Sequence, residues 1–160
     1  MATDAQRLSE LETRLALEAL NTDFCHFLDH GDIEALVDLF TEDAIYTHGT
    51  RRSVGRAEIR DLFSRRSAAG PRTARHLYSC LRLRWQPDGS GSGSSVCLTF
   101  ACDGAAPIVP AEPHLVADFV DEYSRGTDGR WRISRRHIER IFLAEGNRGP
   151  VGLLQGGTAS

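Results

Sequence analysis

Two polar residues stand where the surrounding pattern asks for apolar ones. Asp29 comes near the end of a long amphipathic N-terminal segment, and His76 opens a β-prone run, Arg75-His76-Leu77-Tyr78-Ser79-Cys80-Leu81-Arg82-Leu83. A carboxylate and an imidazole that meet inside one small cavity can move protons, because each sets the protonation of the other. Sequence spacing does not bring them together; a fold must. Tyr46 and His48 alternate on one face of a short strand, where a tyrosine can hydrogen-bond a substrate carbonyl and a histidine can serve as a second acid. Tyr78, Phe119 and Tyr123 are aromatic residues within strands, and packing is their ordinary use.

The elements that must position these groups follow from periodicity. From Ser9 to His30, Leu11, Leu15, Leu20, Phe24, Phe27 and Leu28 recur at helical spacing. Gly31 ends that helix, and Asp32 caps a short second one over Ile33 to Phe40. Thr41-Glu42-Asp43 is read as a turn, Ala44 to His48 as a short strand, Ser53-Val54 as another, and Arg56 to Ser67 as a third helix. Strands are expected over Thr73 to Gln86, Ser95 to Cys102, His114 to Ser124 and Arg130 to Phe142, the first two joined by an Asp88 to Gly93 hairpin tip. Within the last of them, alternation shifts near Ser134 to Arg136, which predicts a bulge. Its arginines are assigned to subunit contacts or a solvated sheet face rather than to a clamp on an anionic substrate.

Three helices followed by long strands make an α+β domain: a strongly curved antiparallel sheet folded over the helices into a cone. Such a cone leaves an opening at its wide end for a small molecule. The expected organisation is one domain over 1–145 and a glycine-rich, flexible tail over 146–160. The net charge of -3 gives no reason to expect a nucleic-acid partner, and every basic residue is an arginine. No apolar run reaches the roughly 20 residues that span a bilayer, and the N-terminus lacks a signal-peptide pattern. Four cysteines without metal-ligand or disulfide spacing read as reduced thiols of a cytoplasmic protein. His26 and His30 stand four apart on one helix face, but two ligands without a third are no metal site.

Phe40-Thr41-Glu42-Asp43-Ala44 running into a strand, Val54-Gly55-Arg56-Ala57-Glu58-Ile59 opening a helix, and Gly129-Arg130-Trp131-Arg132-Ile133 closing a hairpin resemble the nuclear-transport-factor-2-like superfamily. The resemblance is to its SnoaL-like branch, which includes scytalone dehydratase and bile-acid 7α-dehydratase, with the small subunits of ring-hydroxylating dioxygenases nearby. It covers roughly Leu8 to Phe142. It implies that Asp29, in Leu28-Asp29-His30-Gly31-Asp32, is the carboxylate those dehydratases place at the end of their first helix. It also implies that His76, in Thr73-Ala74-Arg75-His76, is their general base. Phe24 takes a position where they carry a tyrosine, and Cys102 falls near a polar residue of their middle strand.

The resulting expectation is a cofactor-independent, metal-free dehydratase, isomerase or cyclase acting on a small cyclic or polyketide-like molecule. Asp29, His76 and Tyr46 would be catalytic, and Phe24, His48, Tyr78, Cys102 and Phe119 would line the pocket. The rival is a non-catalytic ligand-binding module or a structural subunit of a ring-hydroxylating dioxygenase. A homodimer or homotrimer through the sheet is expected in either case.

Overall fold

The computed structural model describes residues 2–144; the expected tail lies outside the described residues. Helix α1 runs from Asp4 to His30, α2 from Ile33 to Asp38 and α3 from Gly55 to Ala68. Strands β1 (Phe40–His48) and β2 (Arg51–Val54) precede α3, and β3 (Arg72–Trp85), β4 (Ser90–Asp103), β5 (Leu115–Arg125) and β6 (Trp131–Leu143) follow it. They form one open, six-stranded sheet in the order β2-β1-β6-β5-β4-β3. All neighbours are antiparallel except β1 and β6, which are parallel, so the sheet is mixed rather than wholly antiparallel. The α+β cone is the observed architecture, with the helices on the concave face.

Local chemistry sets the ends of the first two helices. Thr3 and Gln6 form a reciprocal capping box at the start of α1. Gly31 ends α1 in the left-handed region at φ 75°, its N–H donating to the Phe27 carbonyl. Asp32 then accepts from the Ala35 N–H and starts α2, so the chain reverses within two residues. Asp29 is thereby fixed one turn from a sharp bend.

The apolar face of α1 differs from the expected stripe. Leu17, Leu20 and Phe24 are buried, whereas Leu8, Leu11 and Leu15 are more than half exposed. The buried set packs with Leu36, Val37, Ile59, Leu62 and Phe63 of the other helices against Ala117, Phe119, Ile133 and Ile138 of the sheet.

Three irregularities in the strands escaped the sequence reading. Thr41 to Asp43 belong to β1 instead of a turn, and the pairing with β6 slips between Phe40 and Ile45. The serine-glycine run from Ser90 to Gly93 is the start of β4, and the hairpin tip is shorter, closed by the Gln86 N–H on the Ser90 carbonyl. A Cβ at position 93 would come within 3.0 Å of the Tyr123 ring and 3.1 Å of Leu83, so one of those side chains would have to shift to admit it. In β3, Cys80 takes φ 60° and the pairing with β4 shifts between Ser79 and Arg82. The buried parity changes there, from Ala74, His76 and Tyr78 to Leu81, Leu83 and Trp85. A uniform alternation along β3 would therefore put its second half on the wrong face. The bulge expected in β6 is present, since Glu122 pairs with Arg135 and Tyr123 with Ile133, leaving Ser134 over.

The convex face carries an apolar row across four strands. Leu77 pairs with Leu98, Leu98 with Val116, and Val116 with Phe142. Leu77 is 51% exposed and Phe142 69%. No helix among the described residues is long and apolar enough to cross a membrane.

Candidate active site

Asp29 and His76 meet. The carboxylate projects from the last turn of α1 onto the first inward positions of β3, and the two residues are joined twice. His76 Nδ1 lies 2.5 Å from Asp29 Oδ1, and the His76 backbone N–H donates to Oδ2 at 2.9 Å. Both side chains are almost buried, at 8% and 6% exposure. The C-terminal end of a helix disfavours a negative charge; here both carboxylate oxygens are satisfied by donors from one residue. A carboxylate only accepts, so Nδ1 carries the hydrogen and Nε2 of a neutral ring keeps its lone pair. That tautomer suits a general base.

Asp29, but not His76, lines a cleft of about 410 Å³ between α1, α3 and the start of β3. Leu28, Ile33, Phe63 and Ala74 supply apolar wall, and Asp29, Arg66 and Arg72 supply charge. Arg66, in the last turn of α3, was not singled out from sequence; nothing in Ser64-Arg65-Arg66-Ser67 distinguishes it from its exposed neighbour Arg65. Burial lowers the pKa of its guanidinium and the like charge of Arg72 adds to this, while Tyr46 and Asp29 act the other way.

Tyr46 and His48, on β1, do not line the cleft, but Tyr46 packs against Phe63, which does. Tyr46 is buried, with Phe40 and Phe63 edge-on to its ring. Burial pushes its hydroxyl up to about 12 against the pull of Arg66, Arg136 and Arg51, so it stays a neutral donor. His48 is pushed down to about 4, chiefly by burial and then by the charges of Arg140, Arg66, Arg51 and His114. Its imidazole is neutral at pH 7.

Other candidates lie apart from the cleft. Phe24 and Phe119 are fully packed and sandwich the Arg136 guanidinium, 4.2 and 4.6 Å from the two ring centroids. They are core around a buried cation, not pocket wall. Tyr78 lies two residues beyond His76 on the same face, with its hydroxyl buried and unpaired among the described residues. Burial and then Glu18 hold that hydroxyl above the usual tyrosine range. Cys102 is exposed and borders an adjoining groove with Phe100 and Ile108, which shares Arg72 and Ala74 with the cleft. The middle-strand residue opposite His76 is the buried Thr99. Strand parity could have found it, since Cys97 and Thr99 share the inward face and Cys102 does not.

The second polar constellation also reverses an expectation. Arg136 is not on a solvated face: it is 0% exposed, beside the bulge that turns it inward. Its Nε and Nη2 donate to the two oxygens of Asp121 at 2.8 and 2.7 Å, and Nη2 also donates to Asn21 Oδ1. Tyr123 donates to Asp121 Oδ2 at 2.8 Å and accepts from Asn21 Nδ2 at 2.9 Å. Burial opposes the charge on Arg136, but Asp121 more than restores it. Among the described residues no three of the His, Cys, Asp and Glu side chains are grouped to hold a metal ion. His30 instead donates Nδ1–H to the His26 carbonyl.

Solved structures share this fold. ActVI-ORFA from Streptomyces coelicolor superposes with a TM-score of 0.71 at 22% identity, covering 80% of this chain and 97% of its own. A candidate scytalone dehydratase from Novosphingobium aromaticivorans gives a TM-score of 0.76 at 20% identity, covering 89% and 95%. A candidate aromatic ring hydroxylase from the same organism gives 0.70 at 22% identity, covering 82% and 91%. No curated protein matches the sequence. The model of the SnoaL-like domain matches residues 9–137, nearly the whole described fold, and the chain belongs to that family.

Proposed function

We propose that this domain is a cofactor-independent acid-base enzyme, a dehydratase, isomerase or cyclase acting on a small cyclic or polyketide-like molecule. The observation that carries the reading is the double tie between His76 and Asp29, whose carboxylate lines a partly apolar cleft and orients the imidazole through Nδ1. For a β-hydroxy carbonyl substrate, His76 Nε2 takes the proton from the carbon next to the carbonyl. The electron pair moves into a carbon–carbon double bond as the β-hydroxyl departs, and that oxygen takes the proton back from His76 to leave as water. Asp29 keeps the ring oriented and stabilises the imidazolium between the two transfers. Tyr46, held neutral, is the candidate donor to the oxyanion that develops on the carbonyl.

The test is a panel of cyclic β-hydroxy ketones followed by the absorbance of the conjugated product, with His76→Ala beside the wild type. The variant is expected to keep the circular dichroism spectrum and to lose turnover by about 10²–10⁴-fold, as removal of a general base does. A folded His76→Ala protein that turns over at the wild-type rate refutes the mechanism.

One observation favours a second reading. Phe24, Tyr46 and Phe119 are nearly inaccessible, so much of the cone interior is filled by side chains. A non-catalytic binding module, or a structural subunit of a ring-hydroxylating dioxygenase, needs no larger cavity. Under either reading the protein is a reduced, cytoplasmic one, and the convex row through Leu77, Leu98, Val116 and Phe142 joins copies into a dimer or trimer.

A further inference from the structure

The cleft beside Asp29 and His76 holds more positive charge than its fold requires. Arg66 and Arg72 both line it, from the end of α3 and the start of β3. Arg72 gives Nη1 to Asp103 at 2.8 Å, but its Nε is buried and unpaired among the described residues. Asp103 itself is 84% exposed, a solvent-screened position from which it does little to neutralise a second guanidinium. Arg66 makes no ion pair among the described residues. The remaining acid of the cleft, Asp29, has both oxygens committed to His76.

A structural explanation for Arg66 is available and falls short. A cation in the last turn of a helix interacts favourably with its dipole. Arg65 provides that charge from an exposed position one residue earlier. The dipole therefore gives no reason to draw a second guanidinium against a like charge and partly out of water, where an unpaired cation is costly.

From this geometry we infer that the cleft takes an apolar molecule bearing one carboxylate, with Arg66 as its principal receptor and Arg72 as the second. Leu28, Ile33, Phe63 and Ala74 would cover the hydrocarbon body. The planar fork of a guanidinium matches a carboxylate through two parallel hydrogen bonds. A single negative charge matches the one guanidinium lining the cleft that lacks a counter-ion among the described residues. Seated there, the anionic end lies beside the Asp29–His76 pair, so the inference names a substrate class for the acid-base reading and rests on that reading only for what happens after binding.

The experiment is calorimetric titration of the full chain with benzoate and with its uncharged analogue benzamide, at low salt. Because the readout is binding and not turnover, it stands apart from the His76→Ala test. Benzoate is expected to bind at least tenfold more tightly than benzamide. Arg66→Gln should erase that preference, Arg66→Lys should keep part of it, and Arg60→Gln, six residues earlier and paired with Glu34 at the surface, should keep all of it. A thermal melt of each variant confirms that it is folded. Equal binding of the two probes, binding of neither, or a preference that survives Arg66→Gln overturns the inference. Inorganic phosphate binding more tightly than benzoate, with the same dependence on Arg66, overturns the carboxylate assignment.

Discussion

Replacing Asp121 with asparagine tests the sealed centre of the cone. The change preserves shape but removes the charge opposite a guanidinium that is 0% exposed. Asp121 Oδ1 accepts from Arg136 Nε, and Oδ2 accepts from both Arg136 Nη2 and the Tyr123 hydroxyl. An asparagine amide turns one of those oxygens into a donor facing donors. Breaking a buried ion pair by removing one partner costs about 3–5 kcal/mol, because the other charge stays buried and uncompensated. For a domain of this size that corresponds to a midpoint lower by roughly 6–20 °C. Urea unfolding followed by fluorescence of Trp85 and Trp131 reads it directly, as a lower midpoint with an unchanged slope. Asp128→Asn is the control: Asp128 and Arg132 are also doubly bonded, at 3.0 and 2.7 Å, but near the surface. That loss should stay below about 1 kcal/mol. The double replacement Asp121→Leu with Arg136→Met should cost less than either single change, since it leaves no lone charge behind. A loss under about 1 kcal/mol for Asp121→Asn would show that Arg136 finds water or another acceptor, and the packing described for it would be wrong.

Two further outcomes follow from the site and the surface. The unfolded chain protonates His48 near its ordinary 6.5, whereas the folded one resists to about 4. Stability from this group is therefore complete above pH 6.5 and is lost as the pH falls from 6.5 towards 4. The full gap corresponds to about 3 kcal/mol, an upper bound for a half-buried ring. His48→Gln should flatten that part of the stability–pH curve in chemical denaturation, and an unaltered slope would refute the burial assigned to His48. On the convex sheet, Leu77→Arg with Phe142→Arg should convert a dimer or trimer to monomer in sedimentation velocity; a wild type that is already monomeric refutes the proposed interface.

What was legible in the sequence was local or periodic. Gly31 and Asp32 announce a helix end and a helix start through backbone conformation and a side-chain cap, and both act as expected. The bulge at Ser134 is visible because alternation breaks there. What the bulge does to Arg136 is not visible, because the residue that neutralises it is 15 positions away on β5 and Asn21 is 115 away on α1. Composition makes an arginine read as surface; only the pairing register turns it inward. The same holds for Arg66 and for the bulge at Cys80, whose exposed side chain gives no sign that its backbone has crossed to positive φ. Asp29 and His76 were found through resemblance in short motifs, and spacing alone would not have joined them.

The two carboxylate-centred constellations separate structure from chemistry by whether they reach a cavity. At Asp121 both oxygens are occupied, the cation is held by two carboxylate bonds, an amide and two rings, and nothing charged faces a cavity. Such a group cannot meet a ligand without unfolding its surroundings, so its charge serves the core. At Asp29 the oxygens are also occupied, but by a residue whose second nitrogen is free, beside a cleft with a guanidinium that lacks a counter-ion among the described residues. The first arrangement is sealed in the core, with Arg136 Nη1 left buried and unpaired among the described residues. The second ends in one lone pair and one unbalanced charge, which is the minimum an enzyme needs to hold an anionic molecule and take a proton from it. If benzoate binding requires Arg66 while turnover requires His76, each half of that arrangement has been assigned its task by a separate measurement.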